Sequence, residues 1–170
     1  PQVLAALGHE QERPWLFGHS DGGSIALLHA AAFPDRVAGM VVCAPHLFVE
    51  ELTVASIERA REAYSSTDLR AKLAKYHDDP DSAFRGWNDI WLDPDFLAWN
   101  IEREVAIVRC PVLAVQGHDD PYGTMAQIER IATHHRIRAR EPEQVAQQLH
   151  EMRRDDAAEA CREVLQLFSE

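Results

Sequence analysis

At 170 residues, with 46% apolar and 26% charged side chains, the chain has the material for one domain with a hydrophobic core, which excludes disorder as its default state. Its 17 Lys and Arg against 28 Asp and Glu give a net charge of −11, which repels phosphate backbones and anionic surfaces and so excludes nucleic acid as an expected partner. No apolar run approaches the roughly 20 residues that span a bilayer, and no charged start precedes an apolar stretch as in a signal peptide.

In chain order, "PQVLAALGHE" has apolar residues at 3, 4 and 7 and glycine at 8, which predicts the last turns of a helix and its stop. "RPWLFGHS" predicts a short buried strand over Trp15 to Phe17. Small and apolar residues from Gly22 to Phe33 predict a helix that Pro34 ends, and "RVAGMVVCAPH" predicts a strand buried on both faces. Strand, turn, helix, strand is the βαβ unit of a parallel sheet. Residues 48–108 read as amphipathic helices such as "VASIERAREAY" and "DLRAKLAKY", interrupted by the turn-rich "HDDPDSAF". "CPVLAVQG" predicts another buried strand over Pro111 to Gln116, and a helix follows from Thr124 to about Thr133. The remainder, 134–170, is rich in Arg, Glu, Gln and Ala and predicts one or two amphipathic helices without a strand. The organisation expected is 1–47 and 109–133 as two halves of an α/β core, 48–108 as a helical insertion and 134–170 as a helical tail.

The chemistry concentrates in "WLFGHSDGGS". A serine at the tip of a sharp strand-to-helix turn needs neighbours without bulk, and Gly18 and Gly22 stand two positions either side of Ser20. The following helix aims its amino end at Ser20, and the backbone NH of Asp21 can donate to a developing oxyanion.

Three passages together resemble the α/β hydrolase fold family: "WLFGHSDGGSIAL" as its nucleophile elbow, "AAAFPDRVAGMVVCAPH" as the helix and strand that follow, and "CPVLAVQGHDDPYGT" as the strand that carries the triad acid. The likeness covers about residues 1–133. It implies a serine hydrolase cleaving a small ester or related acyl substrate, with carbon–carbon bonds as a further option. Serine at the nucleophile position argues against a dehalogenase, which carries aspartate there. The helical segment 48–108 resembles the cap that many members insert, and its aromatic residues, Trp87 and Trp91 among them, suit the lid of an apolar pocket as well as they suit plain helix packing. The resemblance makes Asp120 the acid, with Asp119 as fallback; a turn-capping role for Asp120 before Pro121 stays open.

A triad also needs a histidine, because a serine hydroxyl is a poor nucleophile without one. The family places it in a Gly-His turn after one more strand, and no glycine follows Gly123 here. His150, 30 residues beyond Asp120, has workable spacing in a helical context, whereas His134 and His135 follow the acid too closely for an intervening strand. His19 adjoins Ser20 and is expected to pack or line the pocket, because neighbouring side chains diverge at such a turn. The chain opens on Pro1 and lacks the family's earlier strands and the second oxyanion donor they carry, so it reads as an incomplete member. "HDD" lacks a third ligand at telling spacing, and Cys43, Cys110 and Cys161 form no CxxC pair, so neither a metal nor another cofactor is expected. The cysteine usage fits a reducing, cytoplasmic setting. A small-molecule substrate is the expected partner, and the alternative to a hydrolase is a non-catalytic fragment that acts by association.

Overall fold

A computed structural model of the protein describes residues 2–134. Three parallel strands, β1 (Trp15–His19), β2 (Gly39–Cys43) and β3 (Val112–Val115), form one sheet in that order. The register pairs Trp15 with Gly39 and His19 with Cys43, and on the other side Met40 with Val112 and Cys43 with Val115. β2 lies in the middle and every one of its residues is buried, as its unbroken apolar sequence requires. Seven α-helices accompany the sheet among the described residues, α1 (Gln2–Ala6), α2 (Asp21–Ala32), α3 (Glu51–Ser66), α4 (Leu69–Leu73), α5 (Pro80–Trp91), α6 (Glu102–Val105) and α7 (Ala126–His134), with a short 3-10 turn over Phe96–Ala98.

Local sequence explains most boundaries. Gly8 at φ 77° supplies the left-handed residue that closes α1, and its NH donates to Ala5 O at 3.0 Å. Pro34 biases Phe33 away from helical geometry, so α2 ends at Ala32. α5 opens with Pro80 in its first turn, and the Asp79 carboxylate accepts from Ser82 N at 3.0 Å. The turn expected over "HDDPDSAF" is therefore in its second half the beginning of a capped helix.

The helices find the core through α2, whose Gly23, Ser24, Ala26, Leu27 and Ala30 are buried at helical spacing. Leu27, Val37, Met40, Val42, Leu47, Val105 and Ile131 are all fully buried in one cluster that joins α2, β2, α6 and α7. Between β2 and β3 the chain makes a helical excursion that closes on itself at its base. Phe48 and Asn100 form an antiparallel bridge, and Ile101 N donates to Leu47 O at 2.8 Å.

Gln127 locks this base to the core. Its side chain is fully buried; Oε1 accepts from Leu47 N at 2.7 Å, while Nε2 donates to Phe48 O at 3.1 Å and to Glu50 Oε2 at 2.7 Å. Buried backbone groups left without partners cost more than the bonds themselves contribute. Replacing Gln127 by Leu is expected to lower stability by about 3 kcal/mol through the stranded Leu47 NH and Phe48 carbonyl. Urea denaturation of the variant beside the wild type checks this, and a change within experimental scatter would contradict it.

Candidate active site

β1 runs directly into α2 through Ser20, the residue that caps the helix with φ 55° and ψ −126°. A positive φ outside glycine is a strained geometry that persists only where its surroundings dictate it, at about 1–3 kcal/mol. The surroundings here are backbone hydrogen bonds on both sides. Ser20 N donates to Cys43 O at 2.8 Å, which extends the ladder with β2, and Ser20 O accepts from Gly23 N at 2.8 Å, which starts α2. The Ser20 hydroxyl makes no capping bond with the helix and remains available. Ala44, one residue past the end of β2, is the second non-glycine residue with positive φ among those described, at 47°, so both strained positions lie at the carboxyl ends of adjacent strands.

The sharpness of the turn falls on Gly18 rather than equally on both framing glycines. A Cβ on Gly18 would overlap the Gly22 carbonyl and stand 2.7 Å from Gly23 N, whereas a Cβ on Gly22 would meet nothing within 4 Å. Gly23 is the second tight position, where a Cβ would come to 3.1 Å from Pro45 Cβ. The expectation that Gly22 must lack bulk is thus corrected: α2 passes over Gly18, and the side-chain direction of Gly22 points into open space.

Asp120 is half-buried in the loop after β3; its Oδ1 accepts from Tyr122 N at 2.8 Å and its Oδ2 from Gln116 Nε2 at 3.1 Å. The first of these bonds is the turn-capping geometry of aspartate before proline, and it holds the carboxylate in one orientation. Gln116 also donates to Gly123 O at 2.9 Å. Asp119 and His19 are exposed. Asp21 occupies the first turn of α2 with its NH at the amino end of the helix dipole. His134 is engaged away from the elbow, with Nε2 3.2 Å from Glu102 Oε1. His135 and His150 lie outside the described residues.

Trp87 and Trp91 follow one face of α5 and reach two different parts of the site. Trp87 meets the Tyr122 ring edge-on at a centroid distance of 6.3 Å, beside the Asp120 loop. Trp91, 5% exposed, meets the His46 ring edge-on at 4.8 Å. α3 holds the same loop by polar contacts: Thr53 Oγ1 donates to Tyr122 O at 2.5 Å and Ser56 Oγ donates to Pro121 O.

His46 is the residue that sequence reasoning missed. Only 5% exposed, it follows β2 by three positions, and Ser24 Oγ both donates to its carbonyl at 2.7 Å and accepts from its NH at 3.1 Å. Burial, the largest influence, holds the imidazole below its ordinary pKa against the opposing pull of Asp21, Asp120 and Glu50. Its signal was positional: in open α/β sheets sites form beyond the carboxyl ends of the strands, where Pro45 and His46 stand. Glu50 was equally silent in the sequence. Burial raises its pKa, but hydrogen bonds from Thr124 and Gln127 together outweigh that and keep the carboxyl below its usual value. Among the described residues no group of three or more His, Cys, Asp and Glu could hold a metal ion, and no helix is long and apolar enough to cross a membrane.

A strained serine thus stands between a parallel strand and the helix it caps, with an oriented carboxylate beyond the end of a later strand. The family described as "Serine aminopeptidase, S33" matches residues 3–157. The chain belongs to this α/β-hydrolase family. No curated protein matches it. Among solved structures it is similar to the meta-cleavage product hydrolase of Pseudomonas fluorescens IP01, at 17% identity and a TM-score of 0.54, covering 77% of this chain and 55% of that one. Proline iminopeptidase of Mycobacterium smegmatis is similar at 16% identity and a TM-score of 0.51, with 78% of this chain and 56% of that one covered. A monoacylglycerol lipase of Paleococcus ferrophilus shares 23% identity at a TM-score of 0.48, over 81% of this chain and 58% of that one. The chain therefore spans less than two thirds of the length of each of these α/β hydrolases.

Two outcomes follow for the site. Gly18→Ala is expected to destabilise by about 3 kcal/mol or to prevent folding, while Gly22→Ala is neutral or stabilising by up to about 1 kcal/mol; thermal melts of the pair check the asymmetry. For His46 the sign follows from its lowered folded pKa: as pH falls through about 6.5 the unfolded chain takes up a proton that the folded one refuses, so stability falls. Stability measured in urea at about pH 7.5 and about pH 5.5 is expected to drop less for His46→Phe than for the wild type, and equal drops would contradict the assignment.

Proposed function

We propose that the chain is the nucleophile-bearing part of a serine hydrolase that cleaves a small ester or a related acyl substrate through Ser20. The observation that carries this reading is the φ of 55° at Ser20, a strained geometry at the tip of a strand-to-helix turn with its hydroxyl free of the helix cap. In this reading residues 48–108 act as a cap over the site, and Trp87 and Trp91 reach from it toward the acyl pocket.

The steps are those of acyl transfer. Ser20 Oγ attacks the substrate carbonyl carbon, its proton passes to an imidazole, and the oxyanion is held by the NH of Asp21. The tetrahedral intermediate expels the alcohol, which takes the proton back, and water then repeats the sequence on the acyl-serine. Asp120, held by Tyr122 NH and Gln116, orients and stabilises the imidazolium, and His150 is the base. A carbon–carbon bond next to a carbonyl is the second substrate type compatible with the same nucleophile.

The alternative is a non-catalytic member that acts by association. It is favoured by one observation: among the described residues the histidine side chains that make hydrogen bonds, His9 and His134, bind Glu12 and Glu102, and neither is engaged with Ser20 or Asp120. Incubation of the folded chain with a fluorophosphonate probe separates the two readings. Labelling that disappears in Ser20→Ala and falls by at least about 100-fold in His150→Gln is expected for the hydrolase. A folded wild-type chain that takes up no probe would leave the association reading.

A further inference from the structure

His46 has two ring nitrogens in different circumstances. Nδ1 is sealed from solvent and has no hydrogen-bond partner, whereas Nε2 is not among the sealed, unpartnered atoms and makes no hydrogen bond to the described residues. An orphaned buried N–H is rarer and costlier than an orphaned acceptor lone pair, so the proton belongs on Nε2 and the lone pair on Nδ1. Adding a second proton would place an N–H at the sealed Nδ1 position. Burial accordingly favours the neutral ring.

The ring is held rather than merely enclosed. Both backbone groups of His46 are bonded to Ser24, one helical turn beyond Ser20; Trp91 from α5 packs edge-on against the imidazole; and a Cβ on Gly123, in the Asp120 loop, would lie 3.5 Å from its Cε1. The elbow helix, the acid loop and the helical excursion thus meet at one neutral imidazole. The charged and titratable groups that act on it are Asp21 from α2, Asp120 from the loop, Glu50 before α3 and His19 from β1. Three of these four are carboxylates, which repel an anionic ligand group and leave a neutral oxygen as the acceptor that fits.

We propose that His46 is a substrate-binding residue whose Nε2–H donates to a neutral acceptor oxygen, an ether, hydroxyl or carbonyl, in the chain of the substrate bound at Ser20. This deepens the serine hydrolase reading and rests on it for the identity of the site. It also narrows the substrate class: acyl chains bearing an internal oxygen are preferred over plain alkyl chains of equal length. A site built around a fixed donor discriminates against an isostere without the acceptor, because the donor is then left unpaired.

The test uses 4-nitrophenyl hexanoate and the analogues in which each chain methylene in turn is replaced by oxygen, with rates normalised to their hydrolysis by hydroxide. One oxygen position is expected to raise kcat/KM by about 10-fold over hexanoate in the wild type. His46→Leu abolishes that preference, and His46→Gln, which keeps a donor, retains part of it. A preference unchanged in a folded His46→Leu variant, or no preference at any position in the wild type, overturns the proposal while leaving the Ser20 reading intact. A second measurement does not need turnover. Long-range nitrogen–proton NMR of the wild type is expected to show His46 as the neutral Nε2–H form, and its Nε2 resonance should move on adding the methyl ketone carrying the oxygenated chain but not its alkyl counterpart. That shift in a chain that hydrolyses no ester supports the donor and sinks the hydrolase reading; no shift with either ketone, or a proton on Nδ1, overturns the donor.

Discussion

The passage of one backbone over another at Gly18 sets the geometry on which the rest of the structure depends. α2 can start immediately after β1 only because position 18 has no Cβ to strike the Gly22 carbonyl and Gly23 nitrogen. That closeness forces Ser20 to positive φ, and it brings Gly23 against Pro45 and Ser24 against the backbone of His46. Two glycines of the turn serve different ends: Gly18 yields to the helix above it, Gly23 to the neighbouring strand end. The strain at Ser20 is repaid by the ladder bond to Cys43 and the first turn of α2, so Ser20 is held at the tip of the turn by the same contacts that join strand to helix.

Much of this was legible in the sequence because its signals are local. An unbroken apolar run made β2 a central strand, and the glycine-rich turn between an apolar run and an alanine-rich stretch marked the elbow. The same local logic treated Gly18 and Gly22 as equivalent, since spacing is symmetric about Ser20; only the path of α2 separates them. Gln127 and Glu50 were invisible for a different reason. Their roles rest on partners such as Leu47 and Thr124 that lie 80 and 74 residues away in the chain, and no periodicity encodes that. His46 fell between these cases, placed by a strand whose end was recognisable but given its character by Trp91 and Gly123 from distant segments.

The electrostatics of the strand ends follow from this convergence. Carboxylates gather from three elements: Asp120 is bonded to Tyr122 and Gln116, Glu50 to Thr124 and Gln127, and Asp21 stands in the first turn of α2. Burial outweighs their attraction and holds the imidazole among them below its ordinary pKa. Trp91, packed edge-on against the ring, is part of the burial that disfavours its charged form.

The contacts of α3 with the acid loop carry a mechanical meaning. Thr53 and Ser56 donate their hydroxyl protons to the carbonyls of Tyr122 and Pro121, the two residues that follow Asp120. A helix fastened in this way cannot shift on its own, because any displacement of α3 tugs the peptide units next to the Asp120 carboxylate. The two stretches, 65 residues apart at Ser56 and Pro121, therefore behave mechanically as one piece.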